Sequence, residues 1–176
     1  MGEAQELGKV MLEESIQAFR SMKALGDRTL AQLEDVQFGE ALDPESNSME
    51  VLIRHMHGNM VSRWTDFLTT DGEKPDRDRD GEFEGAGAGR EELLALWEAG
   101  WAVVFGTLES LQPADLLRTV TIRGEAHTVV KAIQRQVSHY GYHVGQMVFL
   151  GKHLRSESWQ TLSIARGQSR AFRPGT

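Results

Sequence analysis

The chain has 176 residues and not one cysteine. That absence excludes disulfides, thiolate metal sites, iron–sulfur clusters and cysteine nucleophiles together. It leaves any transition-metal site to histidine and carboxylate. No apolar run approaches the roughly 20 residues that a membrane-spanning helix needs. The opening Met1-Gly2-Glu3-Ala4-Gln5-Glu6 is acidic where a secretory signal is basic and then apolar. A cytoplasmic protein without a membrane partner is expected. Proline is scarce, and Pro44, Pro75 and Pro113 all fall between periodic segments rather than inside them.

What is present is ordinary globular material, 40% hydrophobic and 26% charged, enough for one self-sufficient core. The net charge of −7 is unevenly spread. Residues 1–40 carry a net −4, residues 41–117 a net −10, and residues 118–176 a net +7. A basic final third raises the question of a nucleic-acid surface. Its basic residues are scattered, however, with almost no aromatics between them. An acidic front half packing against a basic back half is the better reading, and no nucleic-acid partner is expected.

Helical periodicity dominates. Leu94, Trp97, Trp101, Val104, Leu108 and Leu111 alternate at spacings of three and four, as do Val130, Ile133, Val137, Tyr140, Val144 and Met147. Each set forms one apolar stripe. Leu12, Ile16, Phe19, Leu30 and Leu33 suggest a first helix. Met49, Leu52, Met56, Met60, Trp64 and Phe67 suggest a second, opened by a capping box of Asn47 and Glu50. Four such helices predict an all-α four-helix bundle over residues 1–154. A stretch of about twenty residues, 69–89, separates the second and third helices, long enough to return the chain so that both run the same way. The run Asp76-Arg77-Asp78-Arg79-Asp80 within it reads as a solvated loop. Arg118–Glu125 alternates like a short hairpin before the fourth helix. In residues 155–176, Trp159, Leu162, Ile164 and Phe172 suggest a tail lying on the bundle.

Six histidines remain to be placed. His139 and His143 are four apart on the fourth helix, so both rings leave one face a turn apart, as one metal requires. With Gln136, Gln146 and Leu150 they form a polar seam beside the apolar one, and Gly141 between them suggests a close helix approach. A third ligand is expected from the second helix, where His55 aligns with Leu52, Asn59 and Ser62. His57 falls some 200° from His55 on a helix and reads as a surface residue. His127, near the start of the fourth helix, and His153, at its end, lie too far away. Three imidazoles without thiolate suit zinc, nickel or copper and leave a coordination position open, the form of a catalytic site. Gln146 and Asn59 are candidates to orient a ligand or to satisfy an imidazole. Arg63 is a candidate for holding an anion or for pairing with Asp66. Asp71, Glu73 and Lys74 could form a lid or supply a base.

The stretch Ser138-His139-Tyr140-Gly141-Tyr142-His143-Val144-Gly145-Gln146 resembles the metal-binding helix of the DinB/YfiT-like superfamily. The string from Asn47 through His55-Met56-His57-Gly58-Asn59 to Ser62-Arg63-Trp64-Thr65-Asp66-Phe67-Leu68-Thr69-Thr70-Asp71-Gly72-Glu73-Lys74 resembles one branch of it, a domain of unknown function. The segment Trp159–Ser169 is similar to that branch too. The resemblance implies an up-down-down-up bundle and a divalent metal, zinc or nickel, on His55, His139 and His143. It also implies a possible homodimer and a metal-dependent transferase of small thiols or a hydrolase acting on a small molecule. A non-catalytic metal-binding or stress-related scaffold is the alternative, and an interaction module ranks behind both.

Overall fold

A computed structural model describes residues 2–171 of the chain. Phe172, assigned to the tail above, lies outside them. Four helices, α1 (Glu3–Leu30), α2 (Met49–Trp64), α3 (Arg90–Ser110) and α4 (Val129–Arg155), pack side by side. A hairpin of β1 (Thr119–Ile122) and β2 (Glu125–Thr128) immediately precedes α4. Its turn residues Arg123 and Gly124 both have positive φ, 56° and 74°, the backbone sense that matches the twist of a two-residue hairpin.

Paired contacts fix the direction of each helix. Arg20 meets Glu109 and Trp97 donates to Asp27, so α1 and α3 run oppositely. His57 reaches the Leu96 carbonyl and Thr107 donates to the Trp64 carbonyl, so α2 and α3 run together. Phe19 lies against Tyr140 and Thr29 against Gly151, making α1 and α4 parallel. The order is up, down, down, up. The 31–48 and 65–89 connections are both long, and the second carries the chain back so that α2 and α3 can be parallel.

One aromatic ring from each helix meets at the centre: Phe19, Trp64, Trp101 and Tyr140, each at most 1% exposed. Phe19 packs on the other three at centroid distances of 5.8–6.3 Å, within the range of favourable aromatic pairs. Two of these rings pair their polar atoms, while Trp101 Nε1 is buried with no hydrogen-bond partner among the described residues. Trp64 Nε1 donates to the Tyr140 hydroxyl at 2.9 Å, and that hydroxyl donates to Asn59 Oδ1 at 3.1 Å.

Several local expectations need correction. Ser48, not Asn47, caps α2, accepting from the Val51 amide at 3.3 Å. Glu50 is buried and instead accepts the Ala86 and Ala88 amides, tying the end of the crossover to α2. The helix stops at Trp64, after 16 residues, where Thr65 turns extended (ψ 128°) and Asp66 follows with a left-handed φ of 50°. Close helix approach occurs at Gly151, where a Cβ would meet Thr29 at 2.7 Å. At Gly141 it would meet only Met22, at 3.7 Å. In the final segment, Trp159 packs beside Gly151 and Gln160 exchanges two hydrogen bonds with Gln32, while Ile164 is exposed.

Asp71 ties the crossover to the hairpin by accepting the Gly124, Glu73 and Arg123 amides. Burial pushes its carboxyl upward, but those amides outweigh it and hold the group at about 2, below the ordinary 3.8. A depressed carboxyl stabilises the fold above its unfolded pKa and loses that contribution as pH falls through the folded one. The urea-midpoint difference between wild type and Asp71→Ala is therefore expected to shrink as pH drops from about 4 toward 2. A pH-independent difference would contradict the assignment. Tyr140→Phe strands Trp64 Nε1 and Asn59 Oδ1 in the core. It is expected to cost about 1–3 kcal/mol in denaturant unfolding, and a neutral result would remove the hydroxyl from this role.

Candidate metal centre

His55 projects from α2 and His139 and His143 from α4. These helices are antiparallel, as the contacts of His55 with His143 and of Asn59 with Tyr140 require. The central ring cluster holds Tyr140 against α2 and so delivers its neighbour His139 toward His55. One ligand nitrogen from each of the three histidines lies within 4.8 Å of the others. The Nε2 atom of His139 is 3.4 Å from that of His55 and 3.2 Å from that of His143.

The hydrogens on these rings follow from their second nitrogens. His55 Nδ1 faces Glu82 Oε2 at 2.9 Å and His143 Nδ1 faces Gln146 Oε1 at 3.1 Å. Both partners are acceptors, so each neutral ring keeps its hydrogen on Nδ1 and presents a lone pair at Nε2. His139 Nε2 carries at most one hydrogen and cannot satisfy two lone pairs. A divalent cation takes the Nε2 lone pairs of all three rings at once, while His139 Nδ1 stays buried without a hydrogen-bond partner among the described residues. In tetrahedral coordination with metal–nitrogen bonds of 2.0–2.1 Å, adjacent ligand nitrogens lie about 3.3 Å apart. The two separations above match that edge, so the residues present fit a metal. Burial, and then the charge of neighbouring histidines, pushes His139 down to about 3 and His143 to about 4. Both are therefore neutral, ligand-ready imidazoles near pH 7.

The partner of His55 comes from the crossover, at a position the sequence did not reveal. Glu82 lies on a 3-10 turn (Gly81–Phe83), and its carboxylate is clasped by Arg77 through Nε to Oε1 at 2.7 Å and Nη2 to Oε2 at 2.8 Å. Burial pushes this carboxyl up, but Arg77 and His55 together hold it below its ordinary value. Room for it exists because residue 58 on α2 is glycine, where a Cβ would sit 2.0 Å from Glu82 Oε1. Phe83 packs against the His55 ring, tilted by 38°, at a centroid distance of 4.8 Å. The Asp76–Asp80 run is thus not wholly solvated: the Arg77 side chain is 4% exposed. The available signal was Phe83, a lone large apolar residue in an otherwise polar, glycine-rich stretch.

Other candidates fall elsewhere. Asn59 serves Tyr140, and Gln146 serves His143. Arg63 is buried and pairs with Glu73 at 3.5 Å, not with Asp66. Glu73 also meets Arg77 and Arg123, Lys74 binds the Ser62 and Asp71 carbonyls, and Asp71 holds the hairpin. These three brace the crossover rather than lid the centre. His57, half-buried rather than on the surface, bonds to the Leu96 carbonyl. His127 lies buried on β2, just before the start of α4, and His153 is exposed.

The three histidines border an open cleft of about 560 Å³. The fold and this site define a four-helix bundle with a tri-histidine cluster able to hold a metal ion. Residues 6–168 match the family described as "Protein of unknown function (DUF1572)", and the chain belongs to that family. No curated protein and no solved structure matches it significantly.

Loss of the carboxylate in Glu82→Gln, or its displacement in Gly58→Ala, frees the His55 ring. Each is expected to weaken zinc affinity about 10- to 100-fold in competition with a chromophoric chelator. Gly58→Ala adds a better helix former, so a weaker affinity with undiminished helicity isolates the displacement from unfolding. Unchanged affinity in both variants would remove Glu82 from the centre.

Proposed function

We propose that His55, His139 and His143 hold one divalent transition metal, zinc or nickel, and that the protein is a metal-dependent enzyme acting on a small molecule in the adjoining cleft. The observation that carries this reading is the convergence of three imidazole nitrogens on the wall of an open cleft. Structural zinc sites close with four protein ligands, whereas catalytic ones keep a position free. The cluster has three members among the described residues. The resemblance to the DinB/YfiT-like superfamily, whose members share the up-down-down-up order, points to transfer of a small thiol or to hydrolysis. When bound, the ion would supply a Lewis acid that lowers the pKa of a coordinated water or thiol.

The chain's own residues supply the setting. Glu82 and Gln146 orient two ligand rings and strengthen them as donors. Phe83 and Tyr142 flank the histidines with aromatic surface, and Tyr142 is half exposed at the cleft. Gln136 and Asn47 offer polar groups on the cleft wall.

Elemental analysis of untagged protein is expected to find one zinc or nickel per chain, and His139→Ala and His143→Ala to lose it. Metal-free wild type, or variants that keep their metal, would overturn the assignment. Small-thiol conjugation and amide or ester hydrolysis are the activities to screen. Chelator-sensitive melting with no turnover in any of them would favour the scaffold alternative.

A further inference from the structure

The cleft beside the histidines is lined by five arginines, Arg63, Arg77, Arg79, Arg123 and Arg135, and by no aspartate or glutamate among the described residues. That is a sharp local reversal in a chain of net charge −7. Arg79 pairs loosely with the exposed Asp80 at 3.9 Å, and the carboxylates nearest the inner arginines sit behind the lining and are already shared. Glu73 serves Arg63, Arg77 and Arg123, and Glu82 serves Arg77 and His55. Arg63 is only 3% exposed, yet its Nε and Nη1 have no hydrogen-bond partner among the described residues. Arg135 is exposed and forms no ion pair among the described residues.

The positions are directional. Arg135 precedes His139 by one turn of α4, and Arg63 follows His55 by about two turns of α2. Because the two helices are antiparallel, both arginines lie at the same end of the histidine cluster. They are close enough for like-charge repulsion to add to the effect of burial on Arg63. An anion between them relieves that repulsion and accepts their free donors. Guanidinium groups favour carboxylate and phosphate oxygens because two parallel N–H groups match two oxygens. A cleft lined by one sign of charge also concentrates ligands of the opposite sign.

We infer that the cleft takes a small anionic molecule, bearing a carboxylate or a phosphate, whose charged end is held by Arg63 and Arg135 so that the adjoining part lies over the three histidines. This deepens the enzyme reading and rests on it for what happens next to the anion. The anion contact itself belongs to the arginines.

Isothermal calorimetry of zinc-loaded and metal-stripped protein tests it, with succinate in one arm, inorganic phosphate in the second and neutral succinamide as control. Saturable 1:1 binding of succinate or phosphate, and none of succinamide, is expected. The arm that binds identifies carboxylate or phosphate as the preferred group. Arg135→Ala, at an exposed position, is expected to weaken binding by about tenfold or more while leaving helicity and zinc content unchanged. Arg63→Lys, which keeps the charge but loses the planar fork, is expected to weaken it too. Failure of both anions to bind either form, or wild-type affinity in Arg135→Ala, would overturn the inference. Anion binding by a protein that takes up no zinc would sink the metal reading and leave this one standing. Zinc uptake without anion binding would do the reverse.

Discussion

Tyr140 stands next to one histidine of the cluster and inside the knot of rings to which every helix contributes one member. Phe19, Trp64 and Trp101 surround it, and its hydroxyl takes the Trp64 indole hydrogen and passes its own to Asn59. A slip of α4 along α2 breaks those hydrogen bonds in the core, where unsatisfied polar groups are costly. The same slip separates His55 from His139 and His143. Register in the core and geometry at the site are therefore one constraint, and large rings have few alternative packings in a close-packed interior.

The crossover between α2 and α3 adds a second layer. It returns the chain so that two neighbouring helices can run in parallel, and on the way it delivers Glu82, Arg77 and Phe83 to the site. Its path is pinned at both ends, by Asp71 on the hairpin turn and by Glu50 on the amides of Ala86 and Ala88. Between them, Glu73 joins Arg63, Arg77 and Arg123. A buried ion pair is weak evidence of stability in itself. Here the network fixes a carboxylate against His55 and gathers guanidinium groups on one side of the cleft. The basic back of the sequence accordingly does two jobs. Arg123 and Arg155 pair with the front-half carboxylates of Glu73 and Glu34, while Arg135 faces the cleft.

Much of this was legible in the residues. The three–four alternation located the third and fourth helices, looser apolar spacing located the first two, and the spacing of His139 and His143 defined a shared face without any tertiary information. His55 followed from its place on the inner seam of the second helix. Glu82 was not legible, because its pairing with His55 depends on how a long connection folds back across α2. Apart from its neighbour Phe83, nothing local distinguishes it from the other acids of that stretch. Arg77 was misread for the same reason, since an alternating charge run looks solvated until one member is seen turned inward. The shift of the cap from Asn47 to Ser48 has another origin. Both residues are good caps, and Glu50 is drawn to the crossover amides instead of closing a box.

The most direct test of the central claim is the visible absorption spectrum of the protein titrated with cobalt(II). A tri-histidine centre with an exchangeable fourth position predicts d–d bands characteristic of tetrahedral nitrogen coordination, saturating at one ion per chain. It also predicts that the bands shift on addition of a small thiol and are lost in His55→Ala. A spectrum indistinguishable from aqueous cobalt, or bands that survive loss of the histidines, would contradict it.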